Sequence, residues 1–399
     1  MRKATRNGKI RAYFLQLDIK NFFYTIDREI LYNLIKKRIN KNFSEECINI
    51  SHANILKSKK LNYEIQFITH RLLRNNCSGD AVYIGRKRDF ERVPAHKKLC
   101  NAKRNRGIPI GNLTSQFFAN VYLNELDQFV KHNLKIKYFL RYVDDFVLVD
   151  RDKNKLLQTK EKIQTFLSEK LSLNLREDFV LKKTSQGADF LGYIVRQNYI
   201  LVRRRVVGNL IEKLNDFEKK IVFKEKIVNG KTSTIVSLKL EIVERLRSVL
   251  SSYLGHFSHA KFFNIVVGLR KRYKWLNLIF RFVECRVEPL WECRYKRVYS
   301  LYDQWNYFKH TFNSFIVLMQ VGNRIEGYNQ DAIVLSKKWT LAKQHHRARF
   351  ERVISIKASN LMFLTRYIKA NGFSYCFVSE QGYLKNNLKN RKLRYLWVV

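Results

Sequence analysis

Apolar positions along this chain switch repeatedly between a strand period and a helix period. Tyr13-Phe14-Leu15-Gln16-Leu17-Asp18 is a short apolar run that closes on an acid, which predicts a strand. Ile26, Ile30, Leu31, Leu34 and Ile35 come next at helical spacing. Lys137 to Asp150 reads as two runs of aromatic and β-branched residues interrupted by Asp144-Asp145. That pattern predicts strand, tight turn, strand, with both carboxylates near the hairpin tip. Between these segments, Phe117, Val121, Tyr122, Leu126, Phe129 and Val130 recur as a helix face from Leu113 onward. Gly107-Ile108-Pro109-Ile110-Gly111-Asn112-Leu113-Thr114-Ser115-Gln116 leads into that helix. Its Pro and two Gly fix a bent backbone, and Asn112 or Thr114 can cap the helix N-terminus. Leu156, Leu157, Ile163, Phe166 and Leu167 make 153–171 an amphipathic helix. Phe190-Leu191-Gly192-Tyr193-Ile194-Val195 predicts a strand whose Gly permits close backbone approach. The alternation predicts an α+β fold, a sheet with helices on one face.

Two stretches interrupt the pattern. Residues 75–107 collect Gly, Arg, Lys and Asn, including Gly79, Gly85 and Pro94, and read as a solvated basic insertion suited to nucleic acid. From about 203 to 290 the pattern is helical, with Ile242, Leu246, Val249, Leu250 and Tyr253 on one face. Val222 to Thr234 reads as a basic, Gly-containing connection inside it. Residues 300–399 predict a further, separately folding α/β segment. There Phe312, Phe315, Ile316, Val317, Leu318 and Met319 form one buried-strand run and Phe373 to Val378 another.

Composition narrows the partners. The 399 residues carry 77 Lys+Arg against 34 Asp+Glu, a formal net charge of +43, spread from Arg2 to Arg394. A charge of that size favours a polyanion through counterion release. A hydrophobic fraction of 46% excludes a disordered basic tail. The six cysteines, Cys47, Cys77, Cys100, Cys285, Cys293 and Cys376, have no CxxC spacing, which argues against zinc and a disulfide framework and for a reducing, cytoplasmic setting. The opening MRKATRNGKIR lacks the apolar stretch of a secretory signal, and no apolar run approaches the roughly 18–20 residues of a membrane span.

The paired acids carry the chemistry. Adjacent carboxylates repel, so they are stable mainly with a cation between them, and Mg²⁺ prefers carboxylate oxygen while keeping water or phosphate. Asp18, at a strand end, can lie beside the hairpin tip on a neighbouring strand. Three such carboxylates suit two Mg²⁺ ions, one activating an attacking hydroxyl and one the leaving pyrophosphate.

These motifs, in this order, resemble reverse transcriptases. The phrase Ile108 to Gln116, with Ile-Gly and Ser-Gln where retroviral enzymes have Gln-Gly and Ser-Pro, is similar to the group from diversity-generating retroelements. LDIKNFF and SQFFANVYLNELD resemble that group too, and the resemblance spans roughly residues 1–290. It implies a right-hand polymerase with a palm and residual fingers over 1–202 and a helical thumb over 203–299. It implies that Asp18, Asp144 and Asp145 are the catalytic, metal-binding triad, with the Ile19 carbonyl as a further ligand of the two Mg²⁺ ions. Phe23 would lie under the sugar and exclude a 2′-hydroxyl. Ile110 and Gly111 would border the nucleotide, Lys182 or Lys183 would protonate pyrophosphate, and Phe190, Leu191, Gly192 and Tyr193 would grip the primer. The implied activity is error-prone complementary-DNA synthesis from a template RNA. Its partners would be primer, deoxynucleotides and a small basic accessory protein.

Two departures accompany the resemblance. Only Met1–Arg11 precede the first strand, so the reading expects the N-terminal fingers to be largely missing. Residues 300–399 resemble the N-terminal mismatch-recognition domain of the MutS family, with Glu326 matching its Glu and Arg324 standing in place of its wedge Phe. Lys337, Lys338, Arg347, Arg349 and Arg352 would supply a backbone-binding face there. A retron or group II intron-type reverse transcriptase, or a catalytically impaired nucleic-acid-binding scaffold, stand as alternatives.

Overall fold

The computed structural model describes residues 1–46, 52–75, 82, 84–226, 232–295, 297–339 and 349–399. Gly79, Cys47, Cys77 and Arg347, named above from the sequence, lie outside the described residues, as do parts of the 75–107 insertion and the 222–234 connection. The chain divides into two compact units, residues 1–199 and 200–399.

In the first unit, β1 (Tyr13–Asp18), β2 (Tyr138–Tyr142), β3 (Asp145–Asp150) and β4 (Val180–Lys183) form one sheet in the order β2-β3-β1-β4. β1 pairs antiparallel with β3, Asp18 directly opposite Asp145. Side chains alternate across a strand. The odd positions Leu15 and Leu17, with Phe146 and Leu148 opposite, therefore point one way. They enter a core closed by α1 (Arg28–Glu46), α2 (His52–Arg74), α3 (Leu113–Gln128) and α4 (Lys153–Leu171), whose buried positions include Leu31, Leu73, Tyr122, Leu126, Ile163 and Leu167. The even positions Phe14, Gln16 and Asp18 share the other face with Asp145, Val147 and Val149. This is the expected α+β sheet with helices on one face. The Tyr122 hydroxyl donates to the Leu171 carbonyl at 2.6 Å and ties α3 to the end of α4.

Two expectations need correction. Phe190 to Val195 is not one strand. β5 (Ala188–Phe190) and β6 (Tyr193–Val195) are a hairpin joined by Leu191 and Gly192, both with positive φ, 52° and 85°. A two-residue loop with positive φ at both places has the hand that matches strand twist, and Gly192 fits it without strain. Phe117, counted on the buried face of α3, is 61% exposed, and Phe118 is buried instead. The apolar positions of α3 occur on more than one face, so periodicity alone left that choice open.

The second unit holds, among its described residues, a seven-stranded sheet. Its strands are β7 (Val222–Lys226), β8 (Thr232–Ser237), β11 (Ile316–Val321), β12 (Arg324–Tyr328), β13 (Val353–Lys357), β14 (Tyr375–Tyr383) and β15 (Lys389–Val398), in the order β13-β12-β11-β14-β15-β8-β7. A separate hairpin of β9 (Phe280–Val283) and β10 (Arg286–Pro289) precedes β11. The central pair β11–β14 is parallel, Ile316 beside Tyr375. Alternation again sorts the side chains. Ile316 and Leu318 pack with Leu335, Leu364 and Ile368 of the helices Asn329–Ser336 and Leu361–Ala370. Val317 and Met319 pack with Leu210, Leu246, Leu250 and Phe308 of the helices Arg204–Ile221, Leu240–Phe257 and Leu301–Thr311.

The boundary expected at 299/300 is therefore not a break in packing. The stretch read as a basic connection supplies β7 and β8, which pair antiparallel, and β8 continues the sheet against β15 with Trp397 opposite Ile235. The helices of 203–299 cover one face of a sheet that 300–399 completes. Pattern reading missed this because β-strands that pair 160 residues apart leave no local signal.

Candidate active site

Asp18 ends β1, and the chain must turn at once. Asn21 takes the left-handed conformation, φ 51° and ψ 40°, which Asn tolerates better than most residues, and a single helical turn, Phe22–Thr25, comes next. The segment 107–110 is tied to that turn. Gly107 N–H donates to the Ile26 carbonyl at 2.9 Å and Ile108 N–H to the Phe23 carbonyl at 2.8 Å. Gly107 has φ +82°, and a Cβ there would stand 2.8 Å from Leu99 Cδ1 and 3.3 Å from the Tyr24 carbonyl oxygen, so only Gly fits. Ile110, two residues on, lines the same cleft as Phe23 and Asp18.

Asp144 and Asp145 are set by the β2–β3 turn. Tyr142 pairs with Asp145, leaving Val143-Asp144 as a two-residue loop. Val143 has φ 55°, a place where such loops favour Gly and where a β-branched residue is strained by about 1–3 kcal/mol. Its hold comes from Arg141, whose Nη1 donates to the Val143 carbonyl at 2.9 Å. Arg141 Nε and Nη2 grip both oxygens of Asp127 on α3 at 2.8 and 2.7 Å. The Arg141 side chain is only 9% exposed.

Asp18, Ile19, Phe23, Ile110 and Asp144 line one cleft of about 800 Å³, together with Lys20, His96, Lys97, Arg176, Glu177 and Asp178. Phe22 is core and Phe23 half-buried at the cleft wall. Ile110 is 61% exposed, toward this cleft rather than under the sheet. Asp145, the register partner of Asp18, is not among the residues that line the cleft; it accepts from Gln16 Nε2 at 3.2 Å. Burial first, then the charge of Asp18, pushes the Asp144 carboxyl above the usual carboxylate range. Burial also raises Asp145, with Asp18, Asp144 and Asp189 adding to it against the Gln16 bond.

The rest of the anticipated set is elsewhere. Lys182 lies on β4 opposite Phe14, four residues from Asp18 along the sheet, roughly 13 Å, and does not line the cleft. Gly111 has φ +101° with open space around it, so its backbone conformation, not a close approach, explains the Gly. Phe190 is buried with Phe14, Val147 and Val149, which seats the β5–β6 hairpin on the Asp18 face, its exposed tip at Leu191. In the second unit, Glu326 is 5% exposed and bonded to the Tyr328 hydroxyl at 2.6 Å and the Ser355 hydroxyl at 3.3 Å. Arg324 is held by Ser355 through Nε and Nη2.

Sequence reading missed Arg141, Asp127 and Arg176. Arg141 and Asp127 had a signal: each is a charge within an apolar segment. Arg176 had none, because its partner Asp18 is 158 residues away.

As for metal, two carboxylates already have protein partners, Asp18 with Arg176 and Asp145 with Gln16. Among the described residues no three His, Cys, Asp or Glu side chains converge closely enough to hold an ion as placed. The donor chemistry still fits Mg²⁺: three acids, two of them raised by burial and by neighbouring carboxylates, beside the Ile19 backbone. The bonds that tie this turn to 174–176 use the Asp18 carbonyl and the Lys20 N–H, not the Ile19 carbonyl.

Residues 2–195 match the family model described as reverse transcriptase (RNA-dependent DNA polymerase). That segment is similar to the reverse transcriptase family. The chain is also 24% identical over 303 residues to the group II intron-encoded protein LtrA of Lactococcus lactis subsp. cremoris, covering 63% of this chain and 49% of that protein. It thus spans about half the length of the curated relatives it matches. Among solved structures, apo telomerase from Candida tropicalis is similar at 14% identity over 68% of this chain and 46% of that one, TM-score 0.35. A form truncated from the C-terminal domain gives 18% identity over 50% and 37%, TM-score 0.31. No helix among the described residues is long and apolar enough to cross a membrane.

The raised acids of the first unit make a prediction about the metal-free protein. A carboxyl raised in the folded state favours folding when protonated. That contribution is full below the ordinary carboxylate pKa and is lost as pH rises through the raised value. At neutral pH Asp144 is therefore a destabilising charge. Asp144→Asn is expected to raise the metal-free melting temperature by about 1–2 °C at pH 7 and to change it little near pH 3. Equal shifts at both pH values would contradict the cost of a buried charge at Asp144.

Proposed function

We propose that the chain is an RNA-directed DNA polymerase of a diversity-generating retroelement, copying a template RNA with low fidelity. The observation that carries the polymerase reading is the register: Asp18 directly opposite Asp145, Asp144 in the adjoining turn, and Phe23 and Ile110 on the same cleft. The reaction is attack of a primer 3′-hydroxyl on the α-phosphate of a deoxynucleotide. Two Mg²⁺ ions held by Asp18, Asp144, Asp145 and the Ile19 carbonyl would stabilise charge on the attacking and leaving oxygens. The protein's own part is positional. Phe23 presents a ring where a ribose 2′-hydroxyl would have to fit. Ile110, branched and without a donor, offers the nucleotide shape but no hydrogen bond. The turn at Leu191, on the same sheet face, offers a contact for the primer. Net charge of +43 suits a nucleic-acid duplex. A small basic accessory protein is part of this reading.

What favours the retroelement is the phrase Ile108 to Gln116. The group II intron-type reading has its own support in the intron-encoded relative. Fidelity separates them. Ile110→Gln is expected to lower misincorporation opposite template adenine severalfold while synthesis continues. Sequencing the products of an adenine-rich RNA template measures this, and an unchanged error spectrum would count against the retroelement reading. For 300–399 we retain the MutS-like resemblance as a proposal about ancestry and duplex binding only. A Glu326 carboxylate engaged by Tyr328 and Ser355 does not suit contact with a mispaired base.

A further inference from the structure

Residues 174–176 run antiparallel beside the strand end that carries Asp18. Lys20 N–H donates to the Asn174 carbonyl and Arg176 N–H to the Asp18 carbonyl, both at 2.9 Å, and Ile19 bridges to Leu175. The backbone of Arg176 is thereby fixed against Asp18. Its guanidinium divides between two acids. Nη1 donates to Asp18 Oδ2 at 3.0 Å, while Nε and Nη2 donate to the two oxygens of Asp178 at 3.1 Å each. The hold on Asp178 is a two-point fork and the hold on Asp18 a single bond, so Nη1 can let go without releasing the rest. Asp18, Arg176, Asp178 and Asp144 all line the same cleft.

We infer that Arg176 is a resident counter-cation of this site, competing with a divalent ion for the Asp18 carboxylate and yielding it only when the ion enters. The inference rests on the two-ion reading above. Its physical basis is that a guanidinium and a divalent ion are like charges drawn to the same carboxylate, so each weakens the other's hold on it. The attraction given up on loading is subtracted from the affinity for the ion. Arg176 and Asp18 are 49% and 35% exposed, so solvent screens the pair and the effect is moderate. Asp178 keeps the released guanidinium at the cleft wall, where Nη1 becomes a donor for a phosphate oxygen that arrives with the ion. A nucleotide carrying its own divalent ion thus supplies both a cation for Asp18 and an anion for Arg176, while a bare ion supplies only the first.

The test is Mn²⁺ binding to the full chain without nucleotide or nucleic acid, read from the paramagnetic resonance of the free ion. Arg176→Gln is expected to bind Mn²⁺ roughly three- to tenfold more tightly than the wild type. Arg176→Glu should bind it more tightly still, and Arg176→Lys, which keeps the cation, should stay near wild type. Asp18→Asn should bind it more weakly. If Asp18→Asn weakens binding while neither Arg176→Gln nor Arg176→Glu tightens it, the counter-cation role is wrong and the metal site stands. If Asp18→Asn leaves Mn²⁺ binding unchanged, the metal reading fails and takes this inference with it.

Discussion

Asp144→Asn or Asp18→Asn is expected to lower Mg²⁺-dependent DNA synthesis at least about a thousandfold, equivalent to roughly 4 kcal/mol of transition-state stabilisation. Each substitution keeps the shape of the side chain and removes the charge. Asp18 and Asp145 are register partners, and Asp144 is displayed on the cleft by the turn between β2 and β3. Glu177 and Asp178 share the cleft, but neither is a register partner of the carboxylate hairpin. Asp178 is committed to Arg176 through both oxygens. Single-turnover extension of a primer on an RNA template measures the loss. Synthesis within tenfold of wild type in either variant would remove the carboxylate from the mechanism.

The second large effect is structural and lies one layer back. Arg141→Ala is expected to destabilise the first unit by about 2–4 kcal/mol, because it leaves the partly buried Asp127 without its partner. It also releases the Val143 carbonyl, the bond that opposes an unfavourable φ at the turn. Asp144 then loses its fixed place, so synthesis should fall further than stability alone explains, in kcat more than in KM. Asp127→Asn, which keeps one acceptor oxygen, should be milder on both counts. Urea unfolding and steady-state extension on the same samples measure the pair. Unchanged stability in Arg141→Ala would show that the pair contributes nothing to holding the turn.

These two predictions also mark what was legible in the sequence. The strand ending at Asp18, the Asp144-Asp145 hairpin and the helix from Leu113 are local patterns, and each is formed where the periodicity placed it. Phe23 and Ile110 reach the cleft because short-range bonds tie 107–108 to the turn after Asp18. The hairpin at Leu191-Gly192 was hidden because Leu is an uncommon residue at positive φ, so the turn gave no Asn-Gly signal. Lys182 was placed near pyrophosphate by resemblance, and the β1–β4 register puts it beside Phe14 instead. The joining of 222–237 to the sheet of 316–398 depends on pairing between distant strands. Arg176 is of the same kind: its role comes from the register of 174–176 beside 18–20.

The central claim is that the first unit copies RNA into DNA at the cleft lined by Asp18 and Asp144, with Asp145 opposite Asp18 in register. Its most direct test is extension of a DNA primer annealed to a template RNA by the full chain, with deoxynucleotides or ribonucleotides, in Mg²⁺ or in chelator, beside Asp144→Asn. The account predicts template-dependent deoxynucleotide addition in Mg²⁺ alone, strong exclusion of ribonucleotides by Phe23, and no extension by Asp144→Asn. Extension that persists in Asp144→Asn, or that accepts ribonucleotides as readily as deoxynucleotides, would contradict it.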